Sequence, residues 1–217
     1  LKISYFCCFV KYKHMIDLRM LRDRARYIII HPVKAWETIR KENRSVRKVQ
    51  SSFLIPVLIV ISLSAFAGSL IYNPTGLWIL FPVIRALKQF ICFYLTVLIA
   101  SWVLNELSVA FRTNKDYSLN FKLVTYSLTP LFITVLITRF LPDLALINIL
   151  SLYGGYILYT GLKTIENITG QSILRYFIVA LLTIIIFYLT ISWMSRSLLE
   201  GVYFALAGSI WKRKRNI

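Results

Sequence analysis

Long apolar runs separated by short polar segments are the main feature of this sequence. Such runs of about 20 residues have the length that an α-helix needs to cross the hydrocarbon of a bilayer. We predict five spans, at Phe53–Tyr72, Phe90–Ala110, Phe121–Leu141, Leu144–Leu162 and Tyr176–Met194. The pattern therefore predicts an all-α integral membrane protein, a bundle of about five transmembrane helices preceded by a basic amphipathic interfacial helix.

The third and fourth spans are joined by a turn of only a few residues, 139–143, so we expect them to lie antiparallel. Proline interrupts the third span and glycines interrupt the fourth. In a bilayer such residues kink a helix or let a neighbour approach closely, because the backbone must stay hydrogen-bonded. Pairs of small residues four positions apart add further contact surfaces. The predicted packing and hinge positions are Pro130, Ser64, Gly68, Ser151, Gly154, Gly155 and Gly161.

A basic, amphipathic segment precedes the first span. The His31-Pro32 pair ends one helix, and Pro32 is suited to the first turn of the next, Val33–Val49. We predict that this second helix lies in the membrane interface, with Trp36 at headgroup depth. The alternative is a solvated basic helix, which would leave the indole in water. The interfacial cations would be Lys34, Lys41, Arg44 and Lys48.

Composition and charge support the membrane assignment. Hydrophobic residues make up 58% of the 217 residues and charged residues 16%, whereas soluble domains are about 45–50% apolar and about 25% charged. A net charge of +17 would suggest nucleic acid in a soluble protein, but about half of the Lys and Arg residues fall in the first 52 positions. This distribution indicates contact with anionic lipid headgroups and a cytosolic N-terminus, and it argues against a nucleic-acid partner.

We divide the chain into a basic cytosolic or interfacial region at 1–52, a transmembrane domain at 53–196, and a basic tail with a short interfacial segment at 197–217. With five spans, a cytosolic N-terminus places the basic tail on the opposite side of the membrane, against the positive-inside rule. Three alternatives remain open. Segment 198–211 re-enters the bilayer, a span is miscounted, or the tail is tolerated there.

Residues that would carry enzymatic chemistry are sparse. The histidines, His14 and His31, both precede the spans, which excludes a His-Glu-x-x-His zinc site within them. Cys7, Cys8 and Cys92 show neither a disulfide framework nor metal-ligand spacing. We therefore expect a protein that is not an enzyme, with no catalytic residues, no cofactor and no metal, and we identify no small-molecule substrate.

One group of residues is a possible polar site. It consists of Glu106, near the end of the second span, with Tyr126 and Tyr156 in the third and fourth. An acid close to a span is a functional candidate by default. The alternatives are that Glu106 pairs with a cation of the following loop and that the tyrosines serve bundle packing.

Several motifs together resemble the YIP domain family, small five-span proteins named for Ypt/Rab-GTPase interaction, and particularly its bacterial branch. The motifs are Pro32, Trp36 and Ile39; Tyr126, Ser127 and Pro130; and Leu152, Tyr153, Tyr156, Tyr159, Gly161 and Leu162. The likeness covers about residues 20–195. It implies a five-helix bundle with a cytosolic N-terminus in a bacterial inner membrane, and it supplies no catalytic residues.

For eukaryotic members the resemblance also implies a role in vesicle trafficking, through binding of GTPases and other partners. Their Asp-Leu-Tyr-Gly-Pro element before the first span is absent here. Basic sequence around Arg44–Gln50 takes its place, which argues against Rab binding.

Two functional hypotheses follow. The first is a non-enzymatic membrane organiser or adaptor that acts through anionic lipids and through a protein partner or self-association. The second is a small transporter, channel or transporter subunit, because Pro130 and the Gly154-Gly155 pair would give broken helices around a site. The sequence favours the first, since it shows no inverted repeat to support the second.

Overall fold

The computed structural model describes residues 18–42, 44–72, 79–111, 115–165 and 171–215, and the regular structure of these residues is helical throughout. Within this part of the chain five helices are long and apolar enough to cross a membrane, at Val46–Tyr72, Leu80–Ala110, Tyr117–Phe140, Asp143–Ile165 and Ser172–Ser197. The predicted fold class is therefore confirmed. Cys7, Cys8 and His14 lie outside the described residues.

Two short helices precede the spans, α1 (Leu18–Ile30) and α2 (Pro32–Lys41). Between them His31 leaves the helical region, at φ −128° and ψ 62°, because the proline ring that follows restricts its backbone. Pro32 then occupies the first position of α2, as the sequence predicted, since a missing N–H costs little there.

The first span, α3 (Val46–Tyr72), begins earlier than the predicted Phe53. Its first turn is capped by Ser45, whose hydroxyl accepts a hydrogen bond from the N–H of Lys48 at 3.4 Å. A π-helical turn at Gln50–Leu54 continues directly into α-helix. The domain boundary drawn at residue 52 therefore falls inside a continuous helix.

The second span, α4 (Leu80–Ala110), also begins earlier than predicted. From Leu80 onward, the apolar segment that precedes the predicted Phe90 is the start of this span. Pro82 is accommodated because the N–H groups of a first turn have no partner within the helix.

The third span is broken into α5 (Tyr117–Ser127) and α6 (Thr129–Phe140). Asp116 caps α5, its carboxylate accepting hydrogen bonds from the N–H groups of Ser118 at 2.8 Å and Leu119 at 3.2 Å. The break at Leu128 lies just before Pro130, whose ring cannot fit an uninterrupted helix. The helix is thus interrupted beside Pro130, where the sequence led us to expect a kink.

The fourth span differs from the prediction in its first half. Residues Pro142–Leu152 form a 3₁₀ helix, and only Tyr153–Ile165, α7, is α-helical. A 3₁₀ helix rises about 2.0 Å per residue, against about 1.5 Å in an α-helix, so this segment covers more depth with the same number of residues. Its apolar side chains point outward, with Leu146 81% and Leu152 76% exposed.

The last helix, α8 (Gln171–Arg215), contains the fifth span and runs on beyond Met194. The sequence predicted a separate tail with a short interfacial segment at 197–217, but the helix continues through Glu200 and Gly201. A single glycine costs a helix only about 1 kcal/mol, which is too little to end it. The domain boundary drawn at residue 196 also falls inside a continuous helix.

The third span lies at the centre of the bundle. Of its most apolar 18-residue stretch 72% is buried, against 17% for the stretch in α8. Large apolar side chains elsewhere point outward, including Leu63, Trp102 and Trp193. An outward apolar surface of this extent indicates that lipid surrounds the bundle.

Candidate functional site

Helices α1 and α2 form a hairpin that is held along α7 at three levels. The hydroxyl of Tyr153 donates to the carbonyl of Ile29 at 2.9 Å. Further along both helices, the indole N–H of Trp36 donates to the carbonyl of Ile157 at 3.0 Å, and Arg40 donates to the carbonyl of Thr164 at 3.0 Å. The hydrogen-bonded residues follow the same order along α2 and along α7, so the two helices lie side by side and run in the same direction.

The indole of Trp36 is enclosed by protein and is 0% exposed. It lies against Gly161, where an added Cβ would come within 2.7 Å of the indole ring. Its ring also meets that of Tyr126 edge-on, with 6.2 Å between centroids. The sequence placed Trp36 among lipid headgroups, and this is corrected: the apolar face of α2 packs on α5 and α7, and it carries the indole into the core.

A cluster of charged side chains closes the hairpin against the bundle. The guanidinium of Arg24 donates to the carboxylate of Glu42 at 2.6 Å, and Arg44 reaches the same oxygen at 3.1 Å. The ammonium of Lys122, which is 4% exposed, donates to the backbone carbonyl of Glu42 at 3.1 Å. Arg24 also lies over the ring of Tyr126, 5.1 Å from its centroid.

The electrostatics of this cluster fix its protonation. Burial by itself would raise the pKa of Glu42, but the hydrogen bond and charge of Arg24, with the charges of Arg44 and Lys122, hold the pKa below its ordinary value. Burial by itself would lower the pKa of Arg24, but the hydrogen bond to Glu42 and the electrostatic interactions with Tyr126 and Glu42 together outweigh that effect and raise the pKa. The pair is therefore ionised and joined at neutral pH, which fastens α1 to the end of α2.

The predicted interfacial cations differ in their surroundings. Lys34, Lys41 and Lys48 are exposed. Arg44 is only partly exposed and is paired with Glu42. Three lysines are thus available to headgroups or to a partner, whereas Arg44 contributes to the charge cluster.

Several predicted packing positions bring helix backbones close together. The hydroxyl of Ser64 donates to the carbonyl of Leu136 at 2.6 Å, and Gly68 faces the carbonyl of Arg139 on the same helix, α6. A Cβ added to Gly154 would lie 2.6 Å from the carbonyl oxygen of Ser127. These contacts need small residues because a side chain would push the backbones apart.

The predicted pair Ser151 and Gly155 makes no such contact. The hydroxyl of Ser151 donates to the carbonyl of Asn148 within the 3₁₀ segment, at 2.5 Å. A Cβ added to Gly155 would meet only the ring of Phe177, at an ordinary 3.8 Å. Both residues instead line an apolar cavity of about 400 Å³ beside the break in the third span.

The three residues of the possible polar site have separate surroundings. Glu106 is exposed and pairs with Lys115 at 2.8 Å, the alternative that the sequence left open. Tyr126 is 1% exposed, in the core with Trp36 and Phe53. Tyr156 is 49% exposed beside Tyr153. The structure therefore does not bring them into one site.

The charge cluster around Glu42 was missed from the sequence. One signal was available, because Lys122 lies inside the predicted third span and an ionisable residue in a span needs a partner. No local pattern links Arg24 to Glu42, since the two are separated by 18 positions and meet only when α1 folds back on α2.

These features define a multi-pass integral membrane protein with an N-terminal helical hairpin fastened to five spans. A family model described as the Yip1 domain matches residues 26–194, and the chain belongs to that family. No curated protein and no solved structure matches the chain. Yip1 family proteins interact with Rab GTPases and other proteins, and the family is not known for enzymatic activity.

Proposed function

We propose that the protein is a non-enzymatic membrane organiser or adaptor, acting through lipid and protein contacts made by the α1–α2 hairpin. The outer surface of the hairpin is the observation that supports this role. Apolar side chains are exposed around its turn, at Tyr27, Ile30 and Val33. Lys34 and Lys41 are exposed on α2. Such a surface suits a lipid interface, with acyl chains on the apolar residues and phosphates on the cations.

A protein partner, or a second copy of the chain, fits the same surface. The hairpin is fixed by Trp36 and the charge cluster, so little ordering entropy is lost when its outer face is bound. We infer a partner with an acidic surface, because exposed cations steer association with negative charge. The basic sequence at Arg44–Gln50 stands where eukaryotic members carry their acidic element, which favours a partner other than a Rab GTPase.

We place the protein in a bacterial cytoplasmic membrane with the hairpin on the cytosolic side. The dense positive charge of the first 52 residues supports that orientation. The non-enzymatic assignment is supported by membership of a family that is not known for enzymatic activity. The Arg24–Glu42 ion pair joins α1 to the end of α2.

A crosslinking experiment tests the proposal without disturbing the core. A photoreactive residue replaces Glu37, which is exposed between Lys34 and Lys41 on α2. Adducts in native membranes are compared for the parent, Lys34→Gln/Lys41→Gln, and a control, Lys163→Gln/Arg175→Gln, whose exposed cations belong to α7 and α8 and not to the hairpin. We expect capture of an anionic lipid or of one protein to fall only in the first variant.

Equal capture by all three proteins would contradict the assignment to this surface. Deleting the whole basic region is a poorer test, because Trp36 and Ile39 belong to the core and their loss would disturb the bundle.

One observation favours the alternative of a small transporter or channel. The third span is broken at Leu128, beside the apolar cavity that Gly155 lines. No acidic or basic side chain is among the described residues that line this cavity, so nothing there would couple solute to ions. Gly155→Leu would fill the cavity without meeting backbone, and solute flux in proteoliposomes that this variant abolished would favour the alternative.

A further inference from the structure

A second polar region lies at the end of the bundle opposite the open end of the hairpin. Helix α3 begins beside the charge cluster, and Gly68 in its later half contacts Arg139 at the end of α6. The start of α4, the end of α6 and the later part of α8 therefore meet at this far end.

A cavity of about 170 Å³ lies there between α4, α6 and α8. Four cationic side chains from the three helices line it, namely Arg85, Lys88, Arg139 and Arg196. None of the described residues that line it is acidic. Gln89, which is only 7% exposed, adds an uncharged amide to the lining.

The inference rests on Arg85 and Arg139. Both are partly buried, they come from different helices, and they face one cavity. In the part of the chain that the structure describes, neither is joined to a carboxylate. Two like charges repel more strongly in low dielectric than in water, and ionisable groups at membrane depth normally have partners. An anion from outside the chain would offset this repulsion.

A larger cavity, of about 580 Å³, adjoins the first and shares Arg85, Arg139 and Tyr188 with it. It extends between α3, α6 and the 3₁₀ segment. Beyond the shared residues its lining combines apolar or small residues, including Leu131, Val135 and Gly68, with the polar side chains of Tyr72, Thr138 and Asn148. The two cavities together suit a ligand in which an anionic group is joined through polar linking atoms to an apolar body.

We propose that this pair of cavities binds the phosphate group of an anionic phospholipid, with the glycerol and the start of the acyl chains in the larger space. Guanidinium groups form paired hydrogen bonds with phosphate oxygens, and two of them from different helices would hold one phosphate from two sides. Basic pockets between spanning helices are suited to lipid headgroups. The site is formed by other helices than the hairpin surface and lies at the other end of the bundle.

The test compares lipid retention by the purified protein. Parent and Arg85→Gln/Arg139→Gln are incubated with phosphatidylglycerol or phosphatidylcholine in micelles, and retained lipid is counted by native mass spectrometry. We expect the parent to retain phosphatidylglycerol preferentially and the Gln variant to bind it at least about tenfold more weakly. The control Lys163→Gln/Arg175→Gln removes two exposed cations elsewhere and should bind like the parent.

A charge-preserving variant, Arg85→Lys/Arg139→Lys, separates the role of charge from that of folding. It should retain more phosphatidylglycerol than the Gln variant and less than the parent, because ammonium groups lack the paired geometry. Thermal unfolding in inorganic phosphate against chloride, at equal ionic strength, provides the free-ion arm. Equal phosphatidylglycerol retention by parent and Gln variant would overturn the proposal. Stabilisation by inorganic phosphate without lipid retention would also overturn the lipid assignment.

Discussion

Replacing Trp36 tests how the hairpin is attached to the bundle. The indole is 0% exposed, contacts Gly161, and donates a hydrogen bond to Ile157. Truncating a buried tryptophan to alanine costs about 3–5 kcal/mol, through lost contacts and the cavity left behind. Since each 1.4 kcal/mol is about tenfold in an equilibrium constant, Trp36→Ala should raise the open population of the hairpin at least roughly a hundredfold.

Limited trypsin digestion of the protein in nanodiscs measures that population, because the Lys and Arg residues of α1 and α2 become cleavable when the hairpin detaches and unfolds. Trp36→Phe should accelerate cleavage only about five- to tenfold, since most packing stays and about 1 kcal/mol of hydrogen bonding is lost. The carbonyl of Ile157 also keeps the hydroxyl of Thr160, at 2.9 Å.

Trp102→Ala is the matched control, because this tryptophan is 59% exposed on the outer side of α4. Its cleavage rate should stay within about a factor of two of the parent's. In variants that keep a single tryptophan, brominated lipids should quench the fluorescence of Trp102 and leave that of Trp36 largely unchanged. A Trp36→Ala variant that resists trypsin as well as Trp102→Ala does would refute the attachment described here.

Three further predictions concern other features. Because the pKa of Glu42 is lowered in the folded protein, its contribution to stability is present above the pKa of the unfolded state and is lost as the pH falls through the folded pKa. Glu42→Gln should remove this acid-side dependence in thermal unfolding in detergent. The same variant should destabilise the hairpin at pH 7 by about 1–3 kcal/mol. Gly154→Ala should cost about 1–3 kcal/mol in unfolding by SDS, because its Cβ meets the carbonyl of Ser127, whereas Gly155→Ala should change stability by less than about 1 kcal/mol. Reporter fusions should place the N-terminus in the cytosol and the C-terminus across the membrane, and two cytosolic termini would show that the number of crossings is wrong.

Much of the bundle could be predicted because lipid imposes simple rules on sequence. Apolar length marks the spans, and Pro130 and Pro32 each forbid a specific backbone hydrogen bond, which fixes the break in the third span and the start of α2. Gly68, Gly154 and Gly161 were recognisable as close-contact positions because glycine has no side chain to hold two helices apart. These features depend on local chemistry alone.

Features that depend on neighbours were not predictable in the same way. Hydropathy does not distinguish a 3₁₀ from an α-helical backbone, so the form of 142–152 was missed. The sequence pattern of an amphipathic helix is the same whether its apolar face contacts lipid or protein, so the sequence assigned Trp36 to the wrong surroundings. The pairing of Arg24 with Glu42 requires the fold itself, although Lys122 within a span was a visible hint of buried charge.

The most direct measurement is photocrosslinking from position 37 in native membranes, with each captured species identified and its dependence on Lys34 and Lys41 determined. The proposed role predicts one recurrent protein or anionic phospholipid whose capture falls when these two lysines are neutralised and persists when Lys163 and Arg175 are. Capture that does not depend on Lys34 and Lys41, together with solute flux that Gly155→Leu abolishes, would contradict the proposed role.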